Sequence, residues 1–272
     1  METGLAGRVV VVTGATANIG RAIAVAFAAE GARLVVVGRD DEAGAVVVKQ
    51  ALAAGAQAAI WGRCDVTDYE QVKALRGAVL EAFSTVGVLV NNVGGNVDLG
   101  PFAQSEPDQW RADIDLTLMS ALYCTRQFLP DMIERRQGRI INIGSMSGEI
   151  GDPYLAIYSA AKAGLHGFSR VLAAEVGEYG VTVNAIAPYA TRADDPGEAP
   201  SSGSRYHPTR GVFATLSPDK AAYRGKIFKE GVLPEKWAKA SQIGQAAVYL
   251  ASDAAGFITG ELLHIDGGVR WA

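Results

Sequence analysis

Runs of apolar, β-branched residues alternate along the chain with stretches whose apolar positions recur every three or four residues. RVVVVT (8–13), RLVVVG (33–38), QAAIWGR (57–63), VLVNN (88–92), GRIINIGS (138–145), VTVNAIAP (181–188) and ELLHID (261–266) predict strands. Between them, 19–31, 40–55, 68–84, 157–179 and 241–253 carry the helical period. Gly31 stops the first helix, and Asp40 and Asp41 give the second an acidic first turn. Residues 110–136 predict one long helix, bent where Pro130 falls. Strands alternating with helices of this length imply a parallel sheet with helices on both faces, a three-layer α/β/α fold with right-handed crossovers.

One segment breaks the rhythm. Residues 191–236 are rich in Pro, Gly and Ser, and a loop that long in a compact domain reads as a functional lid or as a disordered segment. Its Gly/Pro-rich start is followed by Tyr206, Phe213, Tyr223 and Phe228, so ordering over a ligand is expected. No repeat or low-complexity linker divides the chain, and residues 1–272 are expected to form a single domain containing that lid.

Composition narrows the function. The chain has 272 residues, 49% hydrophobic and 20% charged, with a net charge of −4. A general nucleic-acid or anionic-membrane surface is not expected from that balance. Within 201–229, Arg205, Arg210, Lys220, Arg224, Lys226 and Lys229 face Asp219 alone, six minus one or +5. Such a lid either attracts an anionic substrate or is simply a solvated face. Cys64 and Cys124 have no C-x-x-C or His companions, and His166, His207 and His264 lack ligand spacing, so no metal site is expected. METGLAGR lacks the charged start and apolar core of a signal peptide, and no uninterrupted apolar run reaches about 18 residues, so a cytoplasmic location is expected.

The first strand meets the first helix through TGATANIG (13–20). A turn there must be tight, and the helix N-terminus can face a pyrophosphate with its open N–H groups; Gly14 and Gly20 meet those demands. At this point the chain resembles the short-chain dehydrogenase/reductase family, whose turn reads T-G-x-x-x-G-x-G. Asn18 stands where the middle glycine belongs, and Asn is the side chain that best tolerates positive φ. The resemblance continues through CDVTD (64–68), VNNVGG (90–95), the serine strand 138–145, VNAIAP (183–188) and ITGELLHIDGG (258–268). It implies a Rossmann-type doubly wound sheet and a dinucleotide held by Gly14, Thr16, Asn18, Ile19, Gly20, Asp65, Val66, Asn92, Gly94, Pro188 and Thr191.

The stretch YSAAK puts Tyr158 and Lys162 four residues apart, on one helix face. A nearby ammonium lowers a phenol's pKa, so the pair can serve as an acid–base unit. Bringing a tyrosine from about 10 to near 7 takes about 4 kcal/mol. The family's pattern is a serine followed thirteen residues later by Y-x-x-x-K, and Ser145 stands at that spacing, whereas Ser147 does not. The resemblance implies that Tyr158 moves the proton, Lys162 lowers its pKa and holds the nicotinamide ribose, and Ser145 orients the substrate oxygen.

Two further departures qualify the match. Thr117 occupies the position of the family's helix-bending catalytic Asn; it can perturb the helix or bond its i−4 carbonyl. Tyr189 replaces a glycine beside the nicotinamide and either narrows the pocket or points to solvent or the lid. With Gly95, Asn96, Met146 and Tyr154 it is expected to line a partly aromatic substrate pocket. Gly38 removes the acid that an NAD site places at the end of the second strand, and Arg39 follows it, so NADP(H) is preferred, with NAD(H) as an alternative. The reading is an NAD(P)-dependent alcohol dehydrogenase or ketone reductase acting on a small molecule, and the resemblance implies a homo-oligomer, a tetramer or a dimer. Asn18, Thr117 and Tyr189 keep open a non-redox family member: a dinucleotide-binding regulatory or structural protein, or a lyase or epimerase.

Overall fold

A computed structural model describes residues 2–195, 207, 209, 211, 212, 214–227 and 229–271. The chain runs β1 (Val9–Thr13), α1 (Asn18–Ala29), β2 (Arg33–Gly38), α2 (Asp41–Ala54), β3 (Ala58–Arg63), α3 (Tyr69–Phe83) and β4 (Val88–Asn91). Then come α4 (Pro107–Ile114), α5 (Ser120–Glu134), β5 (Gly138–Ile143), the single turn α6 (Ser147–Ile150), α7 (Ala156–Val176) and β6 (Val181–Pro188). It continues with β7 (Thr191–Arg192), α8 (Pro218–Arg224), β8 (Ala238–Lys239), α9 (Ala240–Ala251) and β9 (Leu262–Ile265). Seven of these strands form one parallel sheet in the order β3-β2-β1-β4-β5-β6-β9. The strand order reverses beside β1, and a crevice opens there at the strands' C-terminal ends.

The central strands are apolar on both faces because both faces are covered. On one side Val10, Val12, Phe27, Leu34 and Ile243 pack with α1, α2 and α9; on the other Val11, Leu89, Phe128, Met132 and Leu172 pack with α3, α5 and α7. Cys64 and Cys124 are free, buried thiols. Among the described residues, no helix is long and apolar enough to cross a membrane.

The expected long helix over 110–136 is instead two helices joined by a π-turn at Asp115–Met119, and it starts earlier, at Pro107. Pro130 sits inside α5 without ending it. The irregularity lies at Thr117 rather than at the proline. The 191–236 segment contains α8, and β7 pairs in parallel with β8. Lys220 pairs with Asp98, and Tyr223 stacks on Tyr154 with ring centroids 4.3 Å apart, fastening α8 to the 98–100 loop and the start of α7.

Candidate functional site

A cleft of about 620 Å³ lies along the C-terminal ends of β1, β2, β4, β5 and β6. Its first wall is the turn between β1 and α1. Gly14 has φ +61°, and a Cβ on Gly20 would lie 2.1 Å from the Gly14 carbonyl oxygen. The turn is therefore wound to a radius that only glycine permits at position 20. Asn18 adopts φ +43°, so the left-handed conformation expected of the missing glycine is kept. Asn92 ties the turn to β4, its amide donating to Thr13 O at 2.9 Å and Gly14 O at 3.1 Å. The buried Arg21 guanidinium donates to Thr16 O at 2.7 Å, a brace that the sequence pattern did not reveal. Ala17, the residue before helix α1, gives it no side-chain cap, its first turn holds no acid, and Thr16, Ala17, Asn18, Ile19 and Gly20 line the cleft. That glycine cradle and uncapped helix end fit the pyrophosphate of a dinucleotide.

At the far end of β2, Gly38 and Arg39 line the cleft, along with Asp65 and Val66. A Cβ at Gly38 would lie 3.0 Å from Thr16 Cγ2 and from the Trp61 ring, so a larger residue would be crowded there. Arg39 Nη1 lies 3.2 Å from Asp65 Oδ2, and both are partly exposed. Burial raises the proton affinity of Asp65, but bonds from Thr67 and the Arg39 charge more than reverse this, and its pKa falls. Asp40 caps α2 by accepting from Ala43 N, and Asp41 binds Trp61 and Arg63.

The third wall is built around α7 and the serine turn after β5. Tyr158, Lys162 and His166 fall on successive turns of α7 and are all buried. Ser145, Tyr158 and Lys162 line one cleft. Lys162 Nζ donates to Ile143 O at 2.6 Å and lies 5.8 Å from the Tyr158 ring centroid. A Cβ on Gly94 would come within 2.8 Å of that ammonium, so the bare loop lets the lysine through. Leu99, Leu155 and, from the 191–236 segment, Ile227 pack around Tyr158. Asn92, Gly94, Gly95, Asn96, Pro188 and Thr191 complete the lining.

Three expectations need correction. Met146 does not line the cleft; it is fully buried and packs against Ala187, Tyr189 and Val269. Tyr154 lies outside the cleft, where it stacks on Tyr223 of α8. Thr117 is fully buried behind the cleft wall, where its hydroxyl donates to Gly95 O at 2.9 Å and accepts from Gly95 N at 3.2 Å. It therefore holds the 94–96 loop, and neither reaches the cleft nor bonds its own helix's i−4 carbonyl.

Other groups around Ser145 escaped the motif reading. His166 accepts from Ser145 N through Nε2 at 3.4 Å while Nδ1 faces Glu149 at 2.9 Å. Burial, aided by the Lys162 and Arg170 charges, lowers its pKa despite Glu149. Ser145 Oγ lies 3.0 Å from Ser147 Oγ, which donates to buried Asp152 at 2.5 Å. Tyr189 lines the cleft and also engages the 191–236 segment, since its hydroxyl donates to Asp152 at 3.1 Å and accepts from Lys229 N at 2.8 Å. The only advance signal for Asp152 was a polar residue in the irregular segment before α7. Arg205, Tyr206, Arg210, Phe213 and Phe228 lie outside the described residues, as does the Arg224 side chain.

The short chain dehydrogenase family model matches residues 8–200, and the enoyl-(acyl carrier protein) reductase model matches 209–270. The chain is 34% identical over 267 residues to 2,3-dihydroxy-2,3-dihydro-p-cumate dehydrogenase of Pseudomonas putida, covering 97% of this chain and 95% of that protein. It is equally similar, 34% over 267 residues and 97% of each chain, to 3-oxoacyl-(acyl-carrier-protein) reductase of Escherichia coli. A solved short-chain type dehydrogenase/reductase from Mycobacterium ulcerans shares the fold, with a TM-score of 0.82 at 24% identity over 98% of this chain and 91% of that one.

Proposed function

The chain belongs to the short-chain dehydrogenase/reductase family of NAD(P)-dependent oxidoreductases, and from that premise we propose that it interconverts a secondary alcohol and a ketone with NADP(H). The observation that carries the reading is the meeting of Ser145, Tyr158 and Lys162 in one cleft that also holds the glycine turn. A bound nicotinamide dinucleotide supplies or accepts the hydride. Tyr158 exchanges the proton with the substrate oxygen. Lys162, held by Ile143 O, puts a positive charge near the phenol and favours its ionised form. Ser145 fixes the substrate oxygen. Gly14, Gly20 and the first turn of α1 would hold the pyrophosphate, and Asp65 and Val66, which line the same cleft, would meet the adenine end. The similar proteins are a dehydrogenase of a dihydroxy compound and a reductase of a 3-oxoacyl group, so an alcohol and a ketone bracket the substrate class.

Tyr158→Phe keeps the ring and removes the proton carrier. It should abolish turnover on a panel of secondary alcohols and ketones while leaving cofactor affinity within about threefold. Near-wild-type activity in that variant would sink the mechanism.

NADP(H) preference is supported by crowding at Gly38 and by the partly exposed Arg39 guanidinium beside it. Asp40 and Asp41, which would repel a 2′-phosphate, are engaged as a helix cap and by Trp61 and Arg63. Arg39→Ala should weaken NADPH binding roughly 10- to 150-fold and NADH far less, the effect of one charge-assisted contact of about 1.5–3 kcal/mol. Equal losses for both cofactors, measured by fluorescence titration, would show the assignment to be wrong.

A further inference from the structure

Behind Ser145 lies a chain of hydrogen-bonding groups that hydride transfer does not by itself require. Ser145 Oγ accepts from Ser147 N at 3.1 Å and lies 3.0 Å from Ser147 Oγ. Ser147 Oγ in turn meets Asp152 Oδ2 at 2.5 Å. Asp152 is 7% exposed and lines the same cleft as Ser145 and Tyr158. We propose that Asp152 is a positioning residue whose protonation sets the direction in which the Ser145 hydroxyl points. The proposal rests on the alcohol–ketone reading above.

The argument follows from donor counting. An ionised carboxylate only accepts, so Ser147 must give it its hydroxyl proton. The one hydrogen left to fill the contact between the two seryl oxygens is that of Ser145. The Ser145 proton is then turned into the protein, away from the substrate oxygen. Turning it outward would leave two oxygens facing each other at 3.0 Å with no hydrogen between them. A neutral Asp152 reverses the two side-chain bonds that link it through Ser147 to Ser145. It donates to Ser147, Ser147 donates to Ser145, and the Ser145 hydroxyl is released toward the substrate oxygen. Negative charge builds on that oxygen during transfer in either direction, so an outward Ser145 proton favours both directions. The proton on Asp152 comes from solvent and returns to it, and no covalent bond changes.

The surroundings oppose one another in a way suited to a switch. Burial favours the neutral acid, whereas the bonds from Ser147 and Tyr189 and the Lys229 charge favour the carboxylate; the net effect is a raised pKa. The Tyr189 phenol, at the end of β6, is itself pushed up to about 12 by burial and stays a donor. Tyr158 and Lys162 reach the same cleft from α7, and Glu149 on α6 is turned to His166. Lys229 belongs to the lid segment, so the lid sets the pH at which the chain reverses.

The test is the pH profile of kcat/KM for NADPH-dependent reduction of ethyl acetoacetate. In Asp152→Asn the amide donates permanently to Ser147 and its oxygen still accepts from Tyr189, a mimic of the neutral acid. Wild type should lose activity as Asp152 ionises; the variant should not, and should exceed wild type about tenfold at alkaline pH. Any fall due to Tyr158 is common to both. Lys229→Gln should move the wild-type fall to higher pH, because it removes a charge that favours the carboxylate. Infrared difference spectra of wild type against Asp152→Asn, without substrate, should show a protonated-carboxyl band that disappears over the same pH range. An Asp152→Asn profile parallel to wild type at every pH, or a band absent at every pH, overturns the proposal. Turnover surviving in Tyr158→Phe overturns the alcohol–ketone reading instead.

Discussion

At the scale of single residues, the serine turn is held from below by an imidazole. A Cβ at Gly144 would lie 2.3 Å from His166 Nε2, and one at Gly148 would lie 2.8 Å from Cε1, so the two glycines leave the ring just enough room. His166 must remain neutral to accept from Ser145 N, with its proton on Nδ1 toward Glu149. Burial, its first cause, depresses the folded-state pKa. The unfolded chain takes up that proton near the ordinary value of about 6.5, while the folded protein resists it until lower pH. The neutral ring's contribution to stability is therefore complete above about 6.5 and is lost as pH falls from there through the folded value. His166→Gln cannot titrate, so its unfolding midpoint should decline less steeply than that of wild type over this interval. Thermal unfolding across a pH series measures it, and identical slopes would exclude the coupling.

At the scale of elements, most of the framework was legible because periodicity reports burial. The 33–38 and 181–188 runs match β2 and β6 end to end, and the other five sheet strands differ by one or two residues at an end. The glycine turn and the Ser–Tyr–Lys spacing were legible because each needs particular residues at fixed offsets. The π-turn at 115–119 was not, since an added residue within one helical turn leaves the apolar pattern of DLTLM unchanged. Nor were the directions of Met146 and Tyr154, which depend on what packs against their flanking turns. The π-turn presents Thr117 to Gly95, and both bonds between them are buried. Thr117→Val keeps the shape and leaves the Gly95 amide and carbonyl without this hydroxyl. The expected cost is about 2–4 kcal/mol in denaturant unfolding, from unmade bonds at buried groups. The KM for substrate should rise as the 94–96 loop loosens. A loss below about 0.5 kcal/mol would mean that the loop is held by other contacts.

At the scale of the whole molecule, the sheet accounts for the inner face of α7 but not for its outer face. Tyr158, Lys162, Leu165, His166, Ser169, Leu172 and Val176 point inward, toward the site and the core. Ala160, Ala163, Gly164, Val171 and Ala174 form an exposed stripe on the other side, and Val171 is 60% exposed in the middle of a helix whose ends are anchored. A Cβ at Gly167, beside this stripe, would meet nothing within 4 Å. Small side chains let two helices approach closely, and a two-fold axis through such a face would pair each stripe with itself. The expected homo-oligomer can thus use the very helix that carries Tyr158 and Lys162, on the face opposite to them. Sedimentation of the wild-type chain should reveal a dimer or tetramer. Val171→Glu would place two carboxylates opposite each other in an apolar contact and should shift the distribution toward smaller species. A monomeric wild type at micromolar concentration, or an unshifted Val171→Glu, would remove α7 from any interface between copies.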